Sequence, residues 1–375
     1  MKTGTRSKKK KNAVPQLVSF RLFLINTPIM TTENIDLCCW VNGKKKKKAR
    51  KNRNAYHPIL ASYFFSFKGD GAINRQYNYI QAKHFKLLKT LRGHSSEISS
   101  VRFSADGRKI ISSSIDTTIR IWDLLSTEVI QTIDGNFKRI HYAEFSPNGN
   151  TIVMCSADKI IRLLDAKSAM EVMKLEGHLD LVWNVKFSSD GKNIVSSSYD
   201  RTIRIWDVSS GKEIKQLVGH KSDICSVQFS PNGQMIVSSS MDAMIILWNA
   251  KSGEKIKEFI GHSSTVSCAK FSPDGKFLVS CSDDNTIRLW HIESGKEWRK
   301  IEGHFGYVND VTYFPDGRII VSCSDDQTIR LWDVNTGMEV QLLDDHTDWV
   351  ACVDVSPDGS TIVSGCHDKT IRIWG

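Results

Sequence analysis

The chain has no uncharged apolar run of about 18 residues, the shortest that carries a helix across a bilayer, so no membrane span is expected. The apolar stretch Val18–Ile25 follows a lysine cluster in the manner of a secretory signal. Arg21 interrupts it, however, and no small-residue cleavage site follows, so a signal peptide is not expected. Equally missing are a phosphate-cradling glycine loop, a nucleophile elbow, a kinase signature and any closely spaced His/Cys cluster. Neither an enzyme nor a cofactor or metal site is therefore expected. No apolar period of 3.6 residues recurs, which leaves little room for helices.

Cysteine is present but unsuited to a disulfide framework: there are nine, an odd number. Cys155, Cys281, Cys323 and Cys366 are read as sharing a recurrent slot that other stretches fill with Ser113, Ser197, Ser239 or Gly365, so the slot asks for a small side chain. Buried thiols and an intracellular setting, cytoplasm or nucleus, are the expectation.

Positive charge is lacking where most of the chain lies. Residues 1–84 carry 18 Lys+Arg against 3 Asp+Glu, which leaves 33 against 38 in residues 85–375. The formal net charge of +10 is thus a property of the leading segment, where Lys8–Lys11 and Lys44–Lys48 are like-charged blocks of the kind that stay disordered. Such blocks suit nuclear import or nucleic-acid contact.

What is present is repetition. Cys281-Ser-Asp-Asp-Asn-Thr-Ile-Arg-Leu-Trp290 returns 42 residues later as Cys323-Ser-Asp-Asp-Gln-Thr-Ile-Arg-Leu-Trp332, changed only at Asn285 against Gln327. The same step carries Gly93-His94 to Gly177-His178, Gly219-His220, Gly261-His262 and Gly303-His304, with Gly135-Asn136 and Asp345-His346 as departures. An Asp precedes each strand-ending Trp by six residues, and between the landmarks an Asp/Asn-Gly turn joins two runs rich in Val, Ile and Ser. Each period therefore predicts four short strands. Seven periods fill residues 82–375, apolar on both strand faces, and predict an all-β propeller that follows a disordered extension over residues 1–81. The last period stops at Trp374, so residues 85–91 are expected to supply its outer strand and close the ring.

With Gly-His opening and Trp-Asp closing each period, residues 82–375 resemble the WD40-repeat family of propellers. The resemblance implies a hydrogen-bonded tetrad per blade: His94, Ser112, Asp116 and Trp122; His178, Ser196, Asp200 and Trp206; His220, Ser238, Asp242 and Trp248. The remaining sets are His262, Ser280, Asp284 and Trp290; His304, Ser322, Asp326 and Trp332; and His346, Ser364, Asp368 and Trp374. The second period breaks the pattern with Asn136, Met154 and Leu164 around Asp158. A His–Asp pair occurring six times in equivalent places is structural, because an active site is needed once.

The resemblance also implies a binding rim around the channel, at the third and fifth residues after each histidine and the residue before each Asp. Among these fall Glu97, Trp183, Tyr199, Asp223, Asp283, Tyr307, Asp325 and Trp349, a mixture of large aromatics and acids suited to a peptide. The expected function is a non-enzymatic scaffold, monomeric within a larger complex, whose rim takes protein or peptide partners, basic segments among them. The rival readings are a nucleic-acid- or chromatin-associated factor that uses its lysine-rich tail, and a regulatory subunit of a separate catalytic chain.

Overall fold

The computed structural model describes residues 84–135 and 137–375, together with the strands Trp40–Val41 and Lys44–Lys45. Those two short strands pair antiparallel within a separate unit, Met1–Ile59. The extension expected over residues 1–81 otherwise lies outside the described residues, as does Asn136.

Each period forms one four-stranded antiparallel meander, and there are seven such sheets, with no helix among the described residues. The third blade is typical: Val182–Phe187 lies innermost, followed outward by Asn193–Ser198, Thr202–Asp207 and Glu213–Val218. Its two middle strands are almost wholly buried, whereas the outermost alternates exposed and covered residues. That burial explains the Val/Ile/Ser composition, since both faces of a middle strand press on neighbouring blades and only small or apolar side chains fit. The inner strands touch in sequence around the ring, and Val350–Val355 returns to Ile98–Phe103.

The apolar core lies between blades. One cluster joins Val279, Ile287 and Leu289 of the fifth blade to Val308, Val311, Ile320 and Trp332 of the sixth, and six more of the same kind complete the circle. A blade alone would leave both faces wet. Stacking is therefore what makes the sequence fold.

Two turns repeat in every blade. After the inner strand, Ser188 Oγ donates to Asp190 Oδ1 at 2.6 Å and Gly191 takes φ +70°, a conformation glycine adopts without a Cβ penalty. After the second strand, the residue following the blade's Asp takes a positive φ although none is glycine: Thr117, Lys159, Arg201, Ala243, Asn285, Gln327 and Lys369. The single difference between the two ten-residue copies falls here, at Asn285 and Gln327, where both residues take the same left-handed backbone, φ +65° and +70°.

The ring closes as a composite. Leu87–Arg92 pairs antiparallel with Thr370–Trp374, Leu91 opposite Ile371, and Lys86 and Gly375 exchange backbone hydrogen bonds at 3.1 and 3.0 Å. Gln341 of the preceding blade clamps the Phe85 backbone, accepting from its N–H at 2.9 Å and donating to its carbonyl at 2.6 Å.

One expectation is corrected. Gly365, not Cys366, is the seventh occupant of the small-residue slot, opposite Cys352, and a Cβ there would approach Ile98 Cγ2 to 2.5 Å and Cys352 Sγ to 2.7 Å. Cys366 lies one residue on, level with Ser114 and Ser198, and its Sγ accepts from Asp368 N–H at 3.2 Å as those hydroxyls do from Asp116 and Asp200.

Candidate interaction surface at the channel mouth

Six blades carry the full tetrad. His Nδ1 lies 2.8–3.2 Å from the Asp, His Nε2 2.7–2.8 Å from the Ser hydroxyl, and the Trp indole N–H donates to that hydroxyl at 2.8–3.0 Å. The set is self-consistent when the imidazole is neutral with its proton on Nδ1, because Nε2 then accepts from the serine. Burial lowers the pKa of His94 and His346, favouring that neutral form. Burial pushes the Asp116 carboxyl up, but hydrogen bonds from the Thr118 hydroxyl and from the Ser95 and Thr118 N–H groups are the main counterweight, and the group is held at about 2. His346, Cys366 and Asp368 gather ligand-type atoms within 4.8 Å. Both nitrogens of His346 are already engaged by Asp368 and Ser364, so this cluster is the seventh blade's tetrad with a sulfur added.

By fixing the loop that precedes each inner strand to the turn holding the Asp, the tetrads rigidify one end of the ring. Around that mouth the structure brings together part of the predicted rim. Trp183 stacks on Tyr199 with ring centres 5.4 Å apart, and His141 stacks on Trp183 at 4.8 Å, giving a three-ring ladder on blades two and three. Burial, aided by Arg139, lowers the His141 pKa to about 4, so the ladder is uncharged at neutral pH. Trp183, Trp349 and Tyr307 are 37, 50 and 53 % exposed. Trp349 meets His367 at 5.5 Å rather than joining the ladder.

The acids are spread along the same mouth. Asp283 accepts from Ser267 Oγ at 3.1 Å and Asp325 from Asn309 Nδ2 at 2.7 Å, each through Oδ1. Burial, with Asp283 adding to it, raises the Asp325 pKa. Glu97 accepts from Ser96 Oγ at 2.5 Å, which lowers its pKa. Asp223 is half-buried near the Tyr199 phenol, whose pKa is raised chiefly by burial, with Asp223 and Asp180 adding to it.

Sequence reasoning missed two features. Phe305 and Leu179, directly after the tetrad histidines, are 85 and 77 % exposed on the same end of the ring. More consequential is a belt of ionised side chains inside the channel, at the third and fifth positions of the inner strands. Asp310 accepts from Lys270 Nζ at 2.7 Å and, across the channel, from Arg102 Nη2 at 3.0 Å. Arg102 Nε donates to the Tyr142 phenol at 2.8 Å, that phenol donates to Glu144 at 3.1 Å, and Lys186 Nζ donates to Glu144 at 2.7 Å. Arg102, Lys270, Asp310 and Tyr142 are buried. The belt thus ties blades one, two, three, five and six through the axis and separates the two mouths. Its signal in the sequence was a period-42 series, Arg102, Glu144, Lys186, Gln228, Lys270, Thr312 and Asp354, at the fifth position of each inner strand.

A seven-bladed ring locked by recurrent His–Ser–Asp–Trp networks defines a repeat propeller. The chain belongs to the WD domain, G-beta repeat family, whose model matches seven times, over residues 85–123, 127–165, 170–207, 211–249, 253–291, 295–333 and 337–375. It is also similar to vegetative incompatibility protein HET-E-1 of Podospora anserina, 47% identical over 47 residues, covering 12% of this chain and 4% of that protein. U3 small nucleolar RNA-associated protein 21 of Saccharomyces cerevisiae is 47% identical over 45 residues, 12% of this chain and 5% of that protein. Each match spans about one repeat.

Proposed function

We propose that the chain is a non-catalytic scaffold whose tetrad-side mouth binds a basic, Arg- or Lys-bearing peptide segment of a protein partner. The observation that carries this reading is the juxtaposition of the His141–Trp183–Tyr199 ladder with carboxylates at Asp223, Asp283, Asp325 and Glu97 around one opening. A cation gains there from the exposed Trp349 indole, a contact worth roughly 0.5–2 kcal/mol, and from charge-assisted hydrogen bonds to the carboxylates. Exposed Tyr307 and Trp349 supply apolar contact beside it. The six tetrads serve the fold rather than chemistry. An intracellular site of action, cytoplasm or nucleus, is supported by seven buried cysteines that remain thiols even where Cys268 and Cys281 face each other across a strand pair.

The test is fluorescence anisotropy of the full chain with a dye-labelled arginine-containing octapeptide, for the parent and for Trp183→Ala, Trp349→Ala and Asp325→Ala, each checked by thermal melt. Trp183→Ala and Asp325→Ala should weaken binding about tenfold or more. Unchanged affinity in all three variants places recognition elsewhere. A second reading, nucleic-acid binding through the lysine blocks of residues 1–84, is supported by their charge of 18 Lys+Arg against 3 Asp+Glu. It requires affinity for a DNA or RNA oligomer that collapses between about 50 and 200 mM salt and is untouched by the rim substitutions.

A further inference from the structure

The opposite mouth, where the inner strands end, holds a cavity of about 370 Å³. It is within the size range of small-ligand sites. Phe187, Phe229, Phe271, Pro231 and Pro273 give it apolar walls, and Lys186, Lys270 and Tyr313 bring polar groups to it.

The polar groups are unbalanced. The carboxylates of the belt are satisfied: Glu144 Oε1 accepts from Phe187 N–H at 2.8 Å and Oε2 from Lys186 and Tyr142, while Asp310 accepts from Lys270, Arg102, Val311 N–H and Val353 N–H; Asp274, whose charge also reaches the Tyr313 hydroxyl, is exposed and accepts from the Ser272 hydroxyl and Lys276 N–H. The donors are not. An ammonium carries three N–H groups, yet Lys186 and Lys270 each make a single hydrogen bond to a protein oxygen. The Tyr313 hydroxyl has no partner at all, on a side chain only 8 % exposed. A buried phenol without a partner is uncommon and calls for an acceptor. The hydroxyl is also optional for the fold, because Phe103, Phe145, Phe187, Phe229 and Phe271 occupy the same register in five other blades. Burial raises the Tyr313 pKa, which keeps the group a donor.

We propose that this cavity binds a carboxylate, held by Lys186, Lys270 and the Tyr313 hydroxyl, with the phenyl and proline walls receiving the apolar body that bears it. The carboxylate belongs either to a small aromatic acid or to an acidic residue of a docked segment. Lys186 and Lys270 belong both to this site and to the ion belt that lies along the channel.

The probes are 4-fluorobenzoate, followed by fluorine NMR, and an acetylated Ala-Phe-Glu-Ala amide, followed by proton saturation transfer, each titrated into the full chain. A carboxylate site predicts saturable binding of at least one probe, about tenfold weaker for Tyr313→Phe, which loses one hydrogen bond to a charged acceptor. Tyr313→Phe restores the side chain native to five other blades, so its fold is secure. The uncharged 4-fluorobenzamide, or the glutamine counterpart of the peptide, should bind at least tenfold more weakly than its acid. Binding of benzoate alone identifies a small-molecule site, and binding of the peptide identifies an acidic partner segment. The proposal is overturned if neither probe binds, if Tyr313→Phe binds as the parent does, or if the neutral analogues bind as well as the acids.

Discussion

Blade two and its six neighbours solve the same packing problem with different chemistry. In the tetrad blades, an indole fills the space under the glycine that precedes the histidine, so that a Cβ on Gly93, Gly177, Gly219, Gly261 or Gly303 would meet the indole Cη2 at 2.7–3.1 Å. In blade two the tryptophan is Leu164, the serine is Met154, and the Phe137 ring folds back into the vacated space, 2.2 Å from the corresponding Cβ position on Gly135. Asp158, deprived of its tetrad, is held by Ser156 Oγ at 2.6 Å and by Arg162 Nη2 at 2.6 Å, and Arg162 reaches on to Glu171 at 3.1 Å. An open recess of about 240 Å³ lies beside Leu164 and Phe137. What a blade requires, then, is a filled glycine pocket and a satisfied turn Asp, and the particular residues are negotiable.

The sharpest way to break this comparison is to remake blade two elsewhere. Trp290→Leu in blade five should cost about 3 kcal/mol, the range for emptying a buried aromatic site. Blade six carries Phe305 at the register of Phe137, exposed because Trp332 holds the pocket, so Trp332→Leu should cost roughly 1 kcal/mol less as Phe305 folds inward. Urea melts of the two variants measure the difference. Equal losses would mean that Phe137 does not stand in for an indole.

Next in size is the polar half. Ser280→Ala removes the shared partner of His262 Nε2 and Trp290 Nε1 and should cost about 2 kcal/mol, since two buried groups lose their bond. Met154→Ser in blade two should destabilise as well, because no histidine or tryptophan awaits the new hydroxyl; a gain in melting temperature there would contradict the account.

Acidification separates the blades more gently. The folded-state pKa values of His94 and His346 lie below the ordinary 6.5, and that of Asp116 lies at about 2 against 3.8. Groups depressed on folding give stability that is present above their unfolded values and lost as pH falls through the folded ones. Melting temperature should therefore decline below pH 6.5 and again below 3.8, and a rise on acidification would refute the neutral-histidine assignment. The smallest effect concerns the turn that blade two shares with the rest. Thr117 is β-branched at φ +72°, so Thr117→Gly should stabilise by up to about 1 kcal/mol in a chemical melt, the left-handed penalty outweighing glycine's entropy.

The sequence exposed whatever recurs. Gly-His, the turn Asp and the Trp, marching in steps of 42 residues, were enough to place all six tetrads and the closing strand. Features set by a single blade were not legible. Phe137 and Phe305 occupy identical registers, yet one is half-buried and the other 85 % exposed, and only the presence or absence of an indole across the gap decides which. The channel belt was hidden for a related reason: polar residues at one register read as a wet face, when in a narrow axis they face one another. At the rim, residue type pointed to Trp183 and Tyr199, but the third member of their stack, His141, emerges only once the blades are curled into a ring.

The composite seventh blade has a consequence for synthesis. Leu87–Arg92 leaves the ribosome before every other strand of the ring, and its partner Thr370–Trp374 is translated roughly 280 residues later. At about 5–20 residues per second, that strand waits on the order of 15–60 s as an open edge with nothing to pair against. Its sequence is adapted to waiting: Lys86, Lys89 and Arg92 punctuate Leu87, Leu88 and Leu91, and cations so placed discourage nascent chains on one message from pairing edge to edge.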